Sequence, residues 1–454
     1  MFGKLSRRDM LKITALSAAG AALAGCQPGG TPRIEEQPTQ AAPVKAEGKV
    51  VVMHFRHEFT EDQMNAFMAE NPGITLEFVD GTDLTRFYAM YAAGTPPDLV
   101  RVQAPSIPQF LARKLLFDLT PYFQSSTVLK LDDLMPANDY YKAESPLKVG
   151  TGKIYGMVKD FSPDLTLFAY KPAFEEAGIT LDDTKSYSYA EVAEMAKKVM
   201  KFEGDRILFF GFGNESGWID RYWMVSLAEL GQSLYSEGYE KIILSENEET
   251  RKILKFYFDL AKDKINYSPI NPSPGGWMGT DFTAGQLGFI QYGFWFSAMA
   301  ESDNTRGKVM MLPAPNWSGK RKDPTITATG MIMTAATQVP DAAWKTFEYY
   351  NGGQPALDRA KSGWGVPGLK SMLNLIPQET EFQKQANKVL QGELTLNDTP
   401  LQFNPFLGET QVPNAFNKYL EIALKGDITF DEMLKSIEDE VNAAIKDGIS
   451  AIMG

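Results

Sequence analysis

Apolar strands alternate with amphipathic helices from Val50 onward, and this alternation constrains the fold more than any other feature of the chain. Short apolar runs predict the strands, and apolar residues at helical spacing predict the helices between them. The strands are predicted at Val50–Phe55, Ile74–Val79 and Asp98–Val102, and the helices at Thr60–Glu70, Leu84–Ala93 and Phe110–Leu116. This spacing indicates a parallel, doubly wound α/β sheet.

Polar residues follow two of these strands. Arg56-His57-Glu58 comes after the first strand, and Gln103-Ala104-Pro105-Ser106 comes after the third. Ligands of open α/β sheets bind beyond the carboxyl ends of the strands. We therefore expect Arg56, Glu58 and Gln103 at a ligand site.

The stretch from Gly150 to Ile179 indicates that the chain leaves one sheet and begins another. An apolar run ends at Val158, the segment Lys159–Asp164 is too polar for a strand, and a second apolar run covers Leu165–Tyr170. Polar groups at a crossing between two lobes line the cleft, which makes Asp160 a candidate ligand contact. An ordinary loop aspartate that caps a turn explains the same residues equally well.

The length of the chain indicates how many domains it can form, and its net charge indicates which partners it can bind. The chain has 454 residues, enough for two or three domain-sized cores. Its net charge is −12, and no basic stripe interrupts the acidic background. Such a chain repels phosphate backbones, so we expect no nucleic-acid partner.

The N-terminus carries an export signal. Ser6–Lys12 matches the twin-arginine pattern, and the apolar run Ile13–Gly25 is too short to span a bilayer. Leu23–Cys26 resembles a bacterial lipoprotein signal, which implies lipidation of Cys26 and a membrane contact through the lipid anchor alone. We thus expect a signal peptide at residues 1–25 and a flexible tether at 26–47. A short buried helix with a chance cysteine is the alternative.

Later motifs resemble one family throughout. Asn71–Ile74, Ala93–Asp98 and Gly152–Gly156 resemble three consecutive signatures of the family 1 extracellular solute-binding proteins, the capture subunits of ATP-driven (ABC) importers. Further resemblances lie at Phe174–Gly178, Phe282–Trp295, Leu312–Pro315, Ala342–Lys345 and Gly426–Ala444. Together they cover essentially the whole chain after Val50.

The resemblance implies a two-lobed α/β fold of the type II periplasmic-binding-protein kind. Each lobe is expected to be a mostly parallel sheet flanked by helices, with a ligand cleft between the lobes. Three crossings are expected near Asp160–Pro163, Met311–Pro313 and Lys361–Gly363. The first lobe would then be 48–160 with 313–361, and the second 161–312 with 362–454.

Tryptophans in glycine-rich loops suggest a sugar as ligand, because sugars present C–H faces to aromatic rings and hydroxyls to polar groups. The resemblance places a cleft tryptophan at Trp295. The candidate contacts in or near these loops are Trp218, Asn214, Arg221, Trp277, Asp281, Tyr292 and Trp364. Core packing is the alternative for any single tryptophan. Arg56 and Arg221 fit either a uronic-acid carboxylate or the hydroxyls of a neutral sugar.

Other functions remain as alternatives. The chain has two histidines, His54 and His57, and lacks the serine-hydrolase and P-loop motifs, so we expect no catalysis, cofactor or metal. A glycoside hydrolase needs only two suitably placed carboxylates, which the 57 acidic residues do not exclude. Binding of a polyamine, uronic acid, metal or phosphorylated ligand, or ligand sensing, also fits this architecture. The expected function is capture of a sugar or oligosaccharide by a monomer that delivers it to an ABC permease.

Overall fold

The computed structural model describes residues 46–396 and 400–453 of the chain. The predicted signal peptide at residues 1–25, the lipidation site Cys26 and all but the last two residues of the predicted tether lie outside the described residues. Within the described residues, no helix combines the length and the apolar character needed to cross a membrane.

Strands and helices alternate along the described chain. The strands are β1 (Gly48–His54), β2 (Ile74–Asp80), β3 (Leu99–Val102), β4 (Lys142–Ser145), β5 (Lys148–Ile154), β6 (Gly156–Val158), β7 (Asp160–Phe161), β8 (Leu167–Tyr170), β9 (Lys201–Glu203), β10 (Arg206–Asn214), β11 (Leu287–Gln291), β12 (Val309–Leu312), β13 (Gly330–Met333) and β14 (Val366–Pro367).

The helices pack around these strands. They are α1 (Glu61–Glu70), α2 (Leu84–Ala92), α3 (Ser106–Ala112), α4 (Thr120–Ser125), α5 (Lys171–Glu176), α6 (Tyr189–Val199), α7 (Ile219–Glu229), α8 (Glu248–Lys262), α9 (Met278–Thr283), α10 (Ser297–Ala300), α11 (Pro340–Gly352), α12 (Gln354–Ser362), α13 (Glu381–Leu394), α14 (Gln411–Leu424) and α15 (Phe430–Met453). Short 3₁₀ turns cover Leu131–Asp133, Pro136–Tyr141, Ser216–Trp218, Glu237–Tyr239, Phe294–Phe296 and Lys370–Leu375.

The first sheet has five strands in the order β2-β1-β3-β13-β6. Its edge β2 and neighbour β1 run parallel, with Val52 opposite Phe78, and β1 also runs parallel to β3. Helix α1 begins where Thr60 and Gln63 form a reciprocal capping box, and it buries Met64 and Phe67 against this sheet's core. The predicted alternation after Val50 thus builds one half of the molecule.

The second sheet also has five strands, in the order β12-β8-β11-β10-β9. Strands β10 and β11 run parallel, while β8 is antiparallel to both β11 and β12. The predicted mostly parallel sheets are therefore mixed sheets. Strands that enter from the other half of the molecule, such as β13 and β8, arrive from the opposite end of the sheet and run against their neighbours.

Two local predictions were wrong. The third helix is Ser106–Ala112, four residues earlier than predicted, because Pro105 already has helical backbone angles and Lys114 (φ 57°) has a left-handed backbone that stops the helix. Asp160–Phe161, predicted as too polar for a strand, pairs with Val366–Pro367. A partner strand far along the chain satisfies the backbone here, so local polarity does not prevent pairing.

Asp164 fixes the place where the chain passes between the sheets. Its Oδ2 accepts hydrogen bonds from the backbone N–H groups of Ile326 (2.8 Å) and Thr327 (3.1 Å), and from the hydroxyls of Thr325 (3.2 Å) and Thr327 (2.9 Å). Complete burial raises the pKa of Asp164 to about 6, although these donors pull it downward. The carboxyl group thereby joins the segment before β8 to the segment before β13.

Candidate functional site

Trp295 lies in a turn directly after β11, and the crossing segment holds it there. Its backbone N–H donates to Ser162 Oγ at 2.9 Å. Gly293, two residues earlier, packs so closely on Asp164 Oδ1 and Ser162 Cβ that a Cβ would clash with both. The indole ring itself remains partly exposed. The position of the ring is thus determined by contacts of its own backbone.

Aromatic rings from separate parts of the chain meet around Trp295. The ring centroids of Tyr292, Trp364 and Trp218 lie 4.7, 5.7 and 6.4 Å from the Trp295 ring. Trp218 and Trp364 are partly exposed like Trp295, whereas Tyr292 is buried behind them. We call Trp218, Tyr292, Trp295 and Trp364 the aromatic wall.

A short hydrogen-bond chain supports the aromatic wall from behind. Trp277 Nε1 donates to the Tyr292 hydroxyl at 2.8 Å, and that hydroxyl donates to Glu215 Oε2 at 3.1 Å. Burial raises the pKa of Tyr292, and the nearby Glu215 carboxylate acts in the same direction, so the hydroxyl stays protonated. Tyr292 and Trp277 therefore orient the exposed rings.

Arg221 links the two halves of the molecule beside the wall. It is 2% exposed, and its Nη1 donates to Gln103 Oε1 at 2.8 Å and to the Ile326 carbonyl at 3.2 Å. Its Nη2 lies 3.4 Å from Glu409 Oε2, and its guanidinium lies 5.9 Å from the Trp218 ring centroid. Gln103 follows β3 of the first sheet, whereas Arg221 lies on α7 beside the second. The side chains therefore bridge the two sheets.

An ionic network joins residues in and after strands of the first sheet. Arg101 Nε and Nη2 donate to the two oxygens of Glu58 at 2.8 and 3.1 Å. The Lys159 side chain is 1% exposed; its Nζ lies 3.3 Å from Glu58 Oε2 and also pairs with Asp160 Oδ2. We call Glu58, Arg101, Lys159 and Asp160 the ionic network.

The charges of the ionic network neutralise one another. Burial alone would raise the pKa of Glu58, but Lys159 and Arg101 outweigh burial and hold it far below its usual value. His54 lies beside the network, and burial lowers its pKa well below 6.5, which leaves the ring uncharged at neutral pH. Two acids and two bases therefore face each other with no net charge.

The wall and the network adjoin. Asp160 and Lys159 line the same small cavity as Trp364. The strand pair of Asp160–Phe161 with Val366–Pro367 holds these segments next to each other. Partly exposed rings thus lie beside a buried, charge-balanced network at the crossing between the sheets. The rings can bind a solute by stacking and shape.

Sequence comparison identifies the family. The family described as bacterial extracellular solute-binding protein matches residues 56–352. This chain belongs to that family. A search of curated proteins finds no significant match.

Solved structures of other solute-binding proteins share the fold. An ABC substrate-binding protein from Listeria monocytogenes in complex with cycloalternan is 19% identical, with a TM-score of 0.72 over 88% of this chain and 99% of that one. Maltose-bound MalE3 of T. maritima is 19% identical, with a TM-score of 0.67 over 86% and 98%. A protein from Agrobacterium vitis S4 with bound D-mannitol is 17% identical, with a TM-score of 0.69 over 88% and 98%. The predicted family and two-lobed α/β fold are confirmed; the lobe boundaries stay a prediction.

The structure brings most of the predicted site residues of this solute-binding protein together. Trp218, Trp295 and Trp364 form the exposed face of the wall, with Tyr292 and Trp277 behind it. Gln103 and Arg221 bridge beside the wall. Glu58 and Asp160 lie in the ionic network, where Lys159 and Arg101 occupy their oxygens.

Three predicted contacts of this solute-binding protein have other roles in the structure. Arg56 is exposed on the first sheet, where its guanidinium lies 4.8 Å from the Phe78 ring centroid. Asp281 is buried and holds the loop before α9 through Ser273 Oγ (2.5 Å) and the Gly275 N–H (2.9 Å). Asn214 is buried and accepts a hydrogen bond from Asn266 Nδ2.

Sequence reasoning missed four charged residues of the site. Arg101 had a visible signal, a charge in the middle of the apolar strand Leu99–Val102, and Lys159 had another, directly after Val158. Glu215 and Glu409 had none, because their roles depend on Tyr292 and Arg221, which are distant in the sequence. In the described part of the chain, no group of three or more His, Cys, Asp or Glu side chains is placed to hold a metal ion.

Proposed function

We propose that this solute-binding protein captures a neutral sugar or oligosaccharide at the aromatic wall and delivers it to an ABC importer. One observation carries the proposal: three partly exposed tryptophans from separate segments, Trp218, Trp295 and Trp364, meet where the chain crosses between the sheets. Indole rings left partly exposed and held rigidly offer flat surfaces to the C–H faces of a sugar.

The electrostatics favour an uncharged ligand. Nε and Nη2 of Arg101 and Nη1 of Arg221 donate to groups of the protein itself, and the ionic network has no net charge. A charged ligand such as a uronic acid, a phosphate or a polyamine would have to break these buried ion pairs or bind without an opposite charge beside it. Both cost free energy. The hydroxyls of a neutral sugar need only hydrogen bonds, which groups such as Gln103 and Glu409 supply at their exposed edges.

Related proteins support the carbohydrate class. The structural neighbours described above contain cycloalternan, maltose and D-mannitol. All three ligands are neutral and rich in hydroxyls, in agreement with the wall and the neutral network of this chain. The mechanism is binding and release without a covalent step: the lobes close on the sugar, because the closed form makes more contacts with it.

Export and tethering complete the proposal. The twin-arginine pattern at Ser6–Lys12 and the Leu23–Cys26 motif support a lipoprotein held at the outer face of the cytoplasmic membrane. Replacement of Cys26 by Ser should move the protein from the membrane fraction to the soluble fraction. Membrane retention of the Cys26→Ser variant would contradict lipid anchoring and leave the binding proposal untouched.

A thermal-shift screen tests the binding function. The probes are neutral oligosaccharides and polyols, set against uronic acids, sugar phosphates and polyamines. A ligand that binds only the native state adds about 2.7 kcal/mol of stability at a hundred times its Kd, so a fitting sugar should raise the Tm clearly. Shifts with charged probes only would contradict the proposal. An assay for new reducing ends in the same samples should stay blank, since product would indicate a glycoside hydrolase.

A further inference from the structure

A second cavity lies in the half of the molecule that contains the second sheet, with a volume of about 310 Å³. The loop after β10, the loop before α9 and helix α14 line it. Trp218, Trp295 and Trp364 are not among its lining residues. Because these three wall tryptophans do not line it, we call it the side cavity.

The side cavity has aromatic and polar walls. Trp277, Tyr267 and Phe416 supply rings, while Glu215 and Asn417 supply polar groups. Its lining contains no Lys or Arg. A volume of this size is within the range of small-molecule sites, which combine apolar surface with a few oriented polar groups.

Polar groups at the side cavity have unused hydrogen-bonding capacity. Asn214 is 4% exposed, and its Nδ2 has no hydrogen-bond partner among the described residues. Glu215 lines the cavity as well and accepts the Tyr292 hydroxyl at Oε2, so a carboxylate acceptor is also present there. A buried amide donor without a partner costs free energy, and a bound hydroxyl would remove that cost.

We propose that the side cavity binds one neutral pyranose unit. The partly exposed rings of Trp277 and Tyr267 offer surfaces for its C–H face, and Glu215 accepts from its hydroxyls while Asn214 and Asn417 donate to them. An organic cation fits less well, because amide donors cannot serve it, and a phosphate would meet a carboxylate without any cation. The proposal rests on the proposed sugar-binding function and adds a second sugar site to it.

Blocking variants isolate the side cavity. Asn417→Trp places an indole at the cavity from helix α14, and Ser216→Trp does so from an exposed position of the lining. Asn414→Trp is the matched control, because Asn414 is exposed on the same helix and does not line the cavity. If Asn417→Trp lowers the Tm and so disturbs the fold, Ser216→Trp still tests the side cavity.

The experiment weakens the wall site first, so that binding at the side cavity contributes more to the titration. In full-length Trp295→Ala protein, calorimetric titration with glucose, galactose, mannose and xylose should give saturable binding of at least one sugar. Either blocking variant should then weaken that binding by about tenfold or more, and Asn414→Trp should change it less than about twofold. Choline and inorganic phosphate should give no saturable binding.

Three outcomes would overturn the proposal: no saturable monosaccharide binding, equal affinities in blocked and control variants, or saturable binding of choline instead of sugar. Each leaves the proposed function standing if wild-type protein still binds an oligosaccharide in the thermal-shift screen. A further titration of wild-type and Asn417→Trp protein with that oligosaccharide distinguishes the sources of the pyranose. A loss of about tenfold in affinity indicates one chain that spans both sites, and unchanged affinity indicates a free monosaccharide.

Discussion

The aromatic wall and the ionic network adjoin at the same crossing, yet they are built in opposite ways. The wall leaves the indole rings of Trp218, Trp295 and Trp364 partly exposed and fixes them through backbone contacts and packing. The network buries its charges and satisfies them internally, with Arg101 and Lys159 both on Glu58. Only the wall therefore has surface to offer a ligand without breaking an existing interaction.

This difference separates binding from support. A buried charge cluster contributes little net stability, but removal of one member leaves the others unpaired and costs several kcal/mol. An exposed ring costs affinity when removed and little stability. Changes in the network should thus appear mainly in unfolding measurements, and changes in the wall mainly in binding measurements.

The largest effect should follow Lys159→Met. The variant leaves Glu58 and Asp160 with one cation fewer in a buried site, so the free energy of unfolding should fall by about 3–5 kcal/mol. Urea denaturation measures this change. The matched control is Lys49→Met, which breaks the exposed Lys49–Glu77 pair and should lower stability far less, because both charges stay solvated. Equal losses for the two variants would show that burial does not distinguish the network.

The next effect concerns Asp164, which supports the crossing beneath the wall. Its folded pKa of about 6 lies above the unfolded value of 3.8, so the folded state holds the proton more tightly, and stability falls as pH rises between these values. The fall amounts to on the order of 3 kcal/mol, from about two pH units at 1.4 kcal/mol each.

Asp164→Asn cannot titrate and should lack this fall. Between pH 4 and 6.5 the wild type should lose stability and the variant should not lose this part of it. The difference in unfolding free energy, variant minus wild type, should therefore rise with pH, and urea denaturation at each pH measures it. The difference between variants removes the contribution of Asp220, whose pKa burial also raises to about 6. Parallel pH curves would contradict the raised pKa, because they would mean that Asp164 has the same pKa in the folded and the unfolded protein.

A smaller effect is expected for Trp295→Ala. Loss of the ring should weaken binding of the best sugar by about 1–3 kcal/mol, as for other aromatic contacts at binding sites. Calorimetry measures the affinity. Trp344→Phe serves as control, since Trp344 packs in the core of the first sheet against Phe123 and Phe347. If Trp295→Ala binds as tightly as Trp344→Phe does, the wall is not the binding surface.

The smallest effect should be that of Arg56→Ala. The side chain is exposed and packs on the Phe78 ring, so sugar affinity should change by less than about 0.5 kcal/mol. The same titration measures it. A larger loss would bring Arg56 back as a ligand contact and extend the site beyond the two regions compared here.

Local patterns predicted the first half of the fold well. The alternation β1-α1-β2-α2-β3 shows in the sequence because each element buries one face at a period of its own. The Asp160–Phe161 strand did not show, because its partner Val366–Pro367 lies some 200 residues later and no local pattern reports it. Long-range pairing decides such elements.

In the site, too, local sequence patterns could be predicted and long-range pairings could not. The tryptophans could be selected singly, since glycine-rich loops favour exposure, and Trp218, Trp295 and Trp364 do meet. The roles of Glu58 and Arg221 could not be predicted from the sequence. Glu58 pairs with Lys159, and Arg221 with Gln103, and in both pairs the partner lies about a hundred residues away along the chain. The sequence shows that a charge is present, and only the fold shows whether another charge already neutralises it.

A crystal structure of the protein with its tightest-binding sugar tests the central claim most directly. The sugar should lie with a C–H face against Trp295 and contact Trp218 or Trp364, while Arg101 and Lys159 remain paired with Glu58. A ligand bound away from these rings, or one that separates Glu58 from its two cations, would contradict the account.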